Sequence, residues 1–147
     1  MTWTELRIGD EITGPRRVMT APRVAWYGSG FNSANAGEWR AAPVNIHTDD
    51  ASAKAQGYTA AIADAMISGN WVHSMLLRTF GKDVIARGHL ALKFIKPVFI
   101  GEALTPKGVV KAITPSPGGG MRFELDVAVE DDAGAPRTVG TFAVVAE

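Results

Sequence analysis

The chain has 147 residues, with 15 basic and 15 acidic side chains and a formal net charge of zero. No basic run marks a nucleic-acid or anionic-membrane surface, and no apolar run approaches the roughly 18 residues needed to cross a bilayer. With no cysteine, disulfides, thiolate nucleophiles and cysteine-ligated metals are excluded. The length fits one domain, residues 1–147, and Met1-Thr2-Trp3-Thr4-Glu5 lacks a charged-then-apolar leader pattern. The expectation is a soluble, cytoplasmic protein that attracts its ligand by shape and a local patch rather than by a long-range field.

In chain order, Leu6-Arg7-Ile8-Gly9-Asp10-Glu11-Ile12 reads as a short apolar segment with a Gly-Asp turn, leading to a strand near residues 16–20. Residues 28–45, rich in Gly, Ser, Asn and Ala, read as a long loop or flap, with at most a short helix from Arg23. Gly28-Ser29-Gly30 is a flexible turn rather than a phosphate loop, because Ser33 takes the third-glycine place and no P-loop lysine follows. Residues 60–80 form the clearest element, a helix of roughly 31 Å if helical throughout. Ile62, Met66, Ile67, Trp71, Val72, Met75, Leu76, Leu77 and Phe80 lie almost all round it, which predicts a buried helix. Gly81 is placed to stop it.

Everything after Gly81 reads as strand. Leu90, Leu92 and Phe94 alternate with Ala91, Lys93 and Ile95, and Pro97 marks a bulge or edge. Further strands are predicted at residues 103–113, 121–130 and 138–145, with turns at the Pro115–Gly120 and Asp131–Gly134 clusters. One long apolar helix and a set of antiparallel strands leave few compact solutions: the sheet must wrap the helix to cover its circumference. The fold class is therefore α+β, an antiparallel β-sheet wrapped around one long central helix. Such a sheet leaves an edge strand that a second copy would protect by pairing, so a homodimer is expected.

Two blocks carry the chemistry. Asn45-Ile46-His47-Thr48-Asp49 places a histidine in a polar, acidic stretch, and Asp64-Ala65-Met66 places a carboxylate at the start of the helix. With Ala42-Pro43-Val44 before the first block, Ala55 and Gly57 after it, and Phe94-Ile95-Lys96-Pro97-Val98-Phe99-Ile100-Gly101-Glu102 later, the chain resembles the MaoC-like hydratase and dehydratase family of the hot-dog superfamily. The resemblance covers most of the chain, best over residues 45–102. It implies a hot-dog fold, no cofactor, and reversible hydration of a 2-enoyl thioester of coenzyme A or an acyl carrier protein. In that family an Asp and a His manage the water and the proton, while backbone N–H groups at the start of the central helix hold the thioester oxygen.

Carried over by position, the resemblance gives His47 the acid–base role, which suits an unperturbed histidine pKa near 6.5. It puts Ala42 where the catalytic aspartate would stand, and Glu38 is the only acid in the preceding loop. Asp64 becomes the candidate orienting carboxylate; the helix dipole, which also suits a plain N-terminal charge, would keep it ionised. Ala65 takes the glycine position and Met66 follows it, so their N–H groups are candidates to bind the thioester, alongside Asn45. His73 could face the acyl pocket or be satisfied by Asn70 or Ser74; His89 reads as structural or exposed. Lys93 and Lys96, with Arg87 and Arg40 nearby, are candidates for coenzyme A phosphates or are simply solvent-facing. Three histidines at no ligand spacing give no expectation of a metal. Three alternatives stay open: a lyase or cyclase of specialised metabolism, a thioesterase, and a non-catalytic acyl-binding hot-dog subunit.

Overall fold

The computed structural model describes residues 2–147. After a 3-10 turn at Trp3–Glu5, the elements are β1 (Glu11–Thr13), β2 (Arg17–Val18), α1 (Ala21–Ala36), α2 (Asp50–Ala55), α3 (Ala65–Phe80), α4 (Asp83–Arg87), β3 (His89–Phe94), β4 (Ala103–Pro115), β5 (Met121–Asp131) and β6 (Pro136–Ala146). The six strands make one antiparallel sheet in the order β1-β4-β5-β6-β3, with β2 also on β4. This is the α+β hot-dog arrangement, with the sheet curved around α3. Among the described residues no helix is long and apolar enough to cross a membrane.

Strict alternation sets the inner face of the sheet. Leu104, Val110, Phe123, Leu125, Val127, Val129, Phe142 and Val144 point inward and are buried, as a period of two requires. They meet Val72, Leu76 and Phe80 of α3, whose terminal ring packs 5.3 Å from Phe123 and 5.7 Å from Phe142 between centroids. Pro106 sits in mid-β4, an unusual place for a residue without an N–H. Its carbonyl accepts from Gly14, 2.8 Å away, so its missing donor faces the break between β1 and β2. Gly14 itself has to be glycine: a Cβ there would lie 2.6 Å from the Pro106 ring.

Four expectations need correction. The predicted loop over residues 28–45 is helical up to Ala36. The Thr20 hydroxyl accepts from the Arg23 N–H, Pro22 stands at the first turn, and Gly37 closes the helix with a φ of 71°. Gly28, Ser29, Gly30, Asn32 and Ser33 are poor helix formers, but here the polar ones pin the returning chain. Ser29 Oγ accepts from Ala42 N–H (2.9 Å), Asn32 Nδ2 donates to Ala41 C=O (2.7 Å), and Ser33 Oγ bridges the N–H and C=O of Arg40. Tertiary bonding thus outweighs local propensity.

The central helix starts at Ala65, not near residue 60, and its 16 residues span about 24 Å. The stretch before it is extended: Ile62 bridges Phe99, and Ala63 N–H donates to Val98 C=O at 2.8 Å. The helix is also not covered all round, since Met66 is 47% exposed and Asn70 and Arg78 face outward. Finally, Asp83–Arg87 is a short helix rather than strand. The buried Asp83 carboxylate pins it by accepting from the Glu147 N–H at 3.1 Å.

Candidate functional site

The loop after α1 folds on itself at Asn45. Asn45 Oδ1 accepts from the His47 N–H (2.8 Å), the Asn45 N–H donates to Thr48 Oγ1 (3.1 Å), and Thr48 Oγ1 donates to Pro43 C=O (2.8 Å). Asp49 caps α2 through the Ser52 N–H at 2.7 Å, and that bond holds its pKa below the ordinary carboxylate value. The Asn45 side-chain oxygen is therefore committed to shaping the turn. Ile46 C=O accepts from the Ile62 N–H at 3.1 Å, which lays this turn against the segment leading into α3.

His47 is held from the same segment. Its Nδ1 lies 2.9 Å from the carbonyl of Ile62. A carbonyl only accepts, so Nδ1 carries the proton and Nε2 of the neutral ring is left as an acceptor. The Ile62 segment is anchored in turn. Phe99 bridges Ile62, and its N–H donates to Glu102 at 2.9 Å. Arg137 of β6 ties Glu102 (2.6 Å) and Asp131 (3.1 Å) together. Through this chain of contacts the sheet orients the histidine.

Asp64 is the N-cap of α3, and its Oδ1 accepts from the Met66 N–H at 2.8 Å. One of the helix's free donors is thus already taken, while the Ala65 N–H makes no hydrogen bond among the described residues. His47 and Asp64 do not bond each other directly, but both line a cleft of about 370 Å³ together with Asn45, Tyr27, Asn35 and Ala42. Ala42 stands at the cleft wall, its Cβ within 3.1 Å of where a side chain on Gly28 would begin. Glu38 is paired with Arg40 at 2.8 Å, on the exposed surface.

Reading α1 as a loop hid Tyr27. Burial, and then the neighbouring Asp64 carboxylate, push its phenol above the ordinary tyrosine value, and Asn70 offsets part of this. The group stays protonated at neutral pH, and Tyr27 lines the cleft. The signal was present in the sequence: Thr20 before Pro22, Val24, Tyr27 and Phe31 at helical spacing, then Gly37.

The other candidate residues lie elsewhere. Ala65 and Lys96 line a separate hollow of about 280 Å³ between the start of α3 and the Phe94–Val98 segment. Met66 and His73 line a third, of about 360 Å³, between α3 and β3. Lys93 is exposed on β3. Arg87 is engaged by Glu147 at 2.7 Å and by Asp83 at 3.5 Å. His89 is exposed at the start of β3. Among the described residues no group of acidic or histidine side chains is arranged to hold a metal ion.

Solved structures share this fold. A MaoC-like dehydratase from Rhodospirillum rubrum matches with a TM-score of 0.77 at 18% identity, over 99% of this chain and 96% of that one. The R-hydratase PhaJ1 from Pseudomonas aeruginosa matches with a TM-score of 0.71 at 19% identity, over 99% and 84%. The HadBC (3R-hydroxyacyl-ACP dehydratase) complex from Mycobacterium tuberculosis matches with a TM-score of 0.65 at 13% identity, over 93% and 95%. No curated protein matches the sequence significantly. The sequence pattern of the MaoC-like domain matches residues 43–131, a stretch that holds the His47 turn, the Asp64 cap, all of α3 and most of the sheet; the chain belongs to the MaoC-like domain family.

Proposed function

We propose that this protein is a hydratase or dehydratase that adds water reversibly across the double bond of a 2-enoyl thioester, carried by coenzyme A or an acyl carrier protein. The observation that carries this reading is the His47 tautomer: Nδ1 is committed to Ile62 C=O, leaving Nε2 as a base in a cleft shared with the Asp64 carboxylate. In the hydration direction Nε2 takes a proton from water, the hydroxyl oxygen bonds to the third acyl carbon, and electron density moves to the thioester oxygen. The same proton then returns to the second carbon. Asp64 Oδ2 orients the water, and Tyr27, kept protonated, donates to the water or the developing oxyanion. Ala65, the other helix-start donor, lines the neighbouring hollow rather than this cleft, so the oxyanion contact falls to Tyr27.

Crotonyl thioester and longer enoyl thioesters, followed by loss of the conjugated thioester's absorbance, test the reading. Hydration that disappears in His47→Gln supports it. Thiol release without hydration would point to a thioesterase instead.

A second reading rests on Ala42. A wall residue without a carboxylate at the family's aspartate position favours an acyl-binding subunit that acts beside an active paralogue. Tight acyl-thioester binding with no turnover of any enoyl chain length would favour it. A homodimer accompanies the first reading: the open edge of β3 lies beside half-exposed Met66, Phe94 and Ile95, where a second copy would extend the sheet. Light scattering that gives a monomer mass at micromolar concentration would rule that out.

A further inference from the structure

Beside the cleft, two arginines lie over one buried tryptophan, and a third follows on the same helix. The guanidinium carbons of Arg17 (β2) and Arg23 (start of α1) lie 5.6 Å and 5.4 Å from the centre of the Trp71 ring on α3, and Trp71 is only 6% exposed. Arg78 stands two turns further along the same face of α3. Burial, then Arg78, then Arg23 hold the Arg17 guanidinium below its ordinary value. Among the described residues none of the three has an acidic partner. The Arg23 guanidinium donates to the Val18 carbonyl. Glu11, which lines the adjoining groove with Arg78, accepts from the Thr13 hydroxyl (3.1 Å) and faces Lys107 (4.0 Å).

Like charges held together without a counter-ion cost free energy that an anion would offset. The ring fixes two of the forks in place, so less freedom is lost when a ligand is gripped. Planar guanidiniums match phosphate oxygens in pairs, which a carboxylate-sized charge would use only in part. In a chain with zero formal charge, a local excess of three cations marks one place for such a ligand.

We infer that Arg17, Arg23 and Arg78 around Trp71 form a binding site for an anion bearing more than one phosphate group, of the kind found at the nucleotide end of coenzyme A. The placement relative to the cleft agrees. Arg23 lies one turn back along α1 from Tyr27, and the cluster spans roughly 10 to 21 Å along α3 from its start at Asp64. A pantetheine arm reaching from a thioester in the cleft would run along this stretch. The coenzyme A assignment rests on the proposed function; the phosphate site does not.

Calorimetric titration of the intact protein with adenosine 3′,5′-bisphosphate and, separately, inorganic pyrophosphate tests both statements. Binding of the bisphosphate is expected, weakened roughly tenfold or more by Arg17→Gln or Arg78→Gln and weakened further by added salt, with the unfolding midpoint of each free variant unchanged or raised. Failure of the wild type to bind either probe, or undiminished binding in the double variant, overturns the site. Pyrophosphate binding as tightly as the nucleotide keeps the phosphate site and overturns the coenzyme A assignment. If the bisphosphate binds through these arginines but no enoyl thioester is hydrated, the proposed function falls and the site stands.

Discussion

Asp64 does two things that substitution can separate. Its carboxylate caps α3 by accepting the Met66 N–H at 2.8 Å, and its charge faces the cleft beside His47. In Asp64→Asn an amide oxygen still accepts the N–H, and Asn and Asp are near equals as caps. What is lost is the charge–dipole attraction, about 0.3–1 kcal/mol. Asp64→Ala also removes the cap, about 1 kcal/mol more. At about 2–4 °C per kcal/mol for a chain near this size, the alanine variant should melt about 2–8 °C below wild type, and the asparagine variant within about 4 °C. Activity should divide differently. If the carboxylate orients the reacting water, Asp64→Asn loses on the order of 10²–10⁴ in rate, as much as Asp64→Ala, although its fold is nearly intact. Thermal melts alongside enoyl-thioester hydration read both quantities. A fully active Asp64→Asn variant would refute the orienting role and leave Asp64 a structural cap; an alanine variant as stable as wild type would refute the cap.

His47→Gln should keep the fold, because an amide can still donate to Ile62 C=O, yet lose about 10²–10⁴ in rate; unchanged turnover would remove the histidine from the mechanism. Ser33→Ala deletes the hydroxyl that holds both ends of Arg40 and should cost about 1–3 kcal/mol by denaturant melting, with faster proteolysis between residues 37 and 45. Acid sensitivity should track the carboxylates held below their ordinary range. Asp131 is lowered by the Ala135 and Ala133 N–H groups and by Arg137, and Asp132 by Arg16. A depressed folded pKa contributes stability above the unfolded value, near 3.9, and loses it as pH falls through the folded value. Asp131→Asn should therefore be weaker than wild type at neutral pH but lose less on acidification below about pH 4. Parallel stability–pH curves for the two proteins would contradict this. Tyr27→Phe should leave stability at pH 7 little changed and lower hydration, since its phenol is a protonated donor there; a fully active variant would take Tyr27 out of the site.

Residues 103–146 were legible as sequence because each strand alternates apolar and polar side chains and is closed by a Pro/Gly or Asp/Gly turn, so both period and ends are local properties. The central helix was legible for the same reason, although its first turn was not. Ala60-Ala61-Ile62-Ala63 has good helical composition, but its backbone donors and acceptors are claimed by Ile46, Val98 and Phe99. The MaoC-like motif singled out His47 and Asp64, and both line one cleft. Only the tertiary structure decided what their atoms do: which nitrogen of His47 bears the proton depends on a carbonyl fifteen residues away, and whether the Asp64 carboxylate is free depends on the Met66 N–H. The placement of Tyr27 in the cleft and of the arginines beside Trp71 came only from the fold. Their helix is held by hydrogen bonds to residues 40–42 and their cluster joins β2, α1 and α3, so no local window of the sequence contains either arrangement.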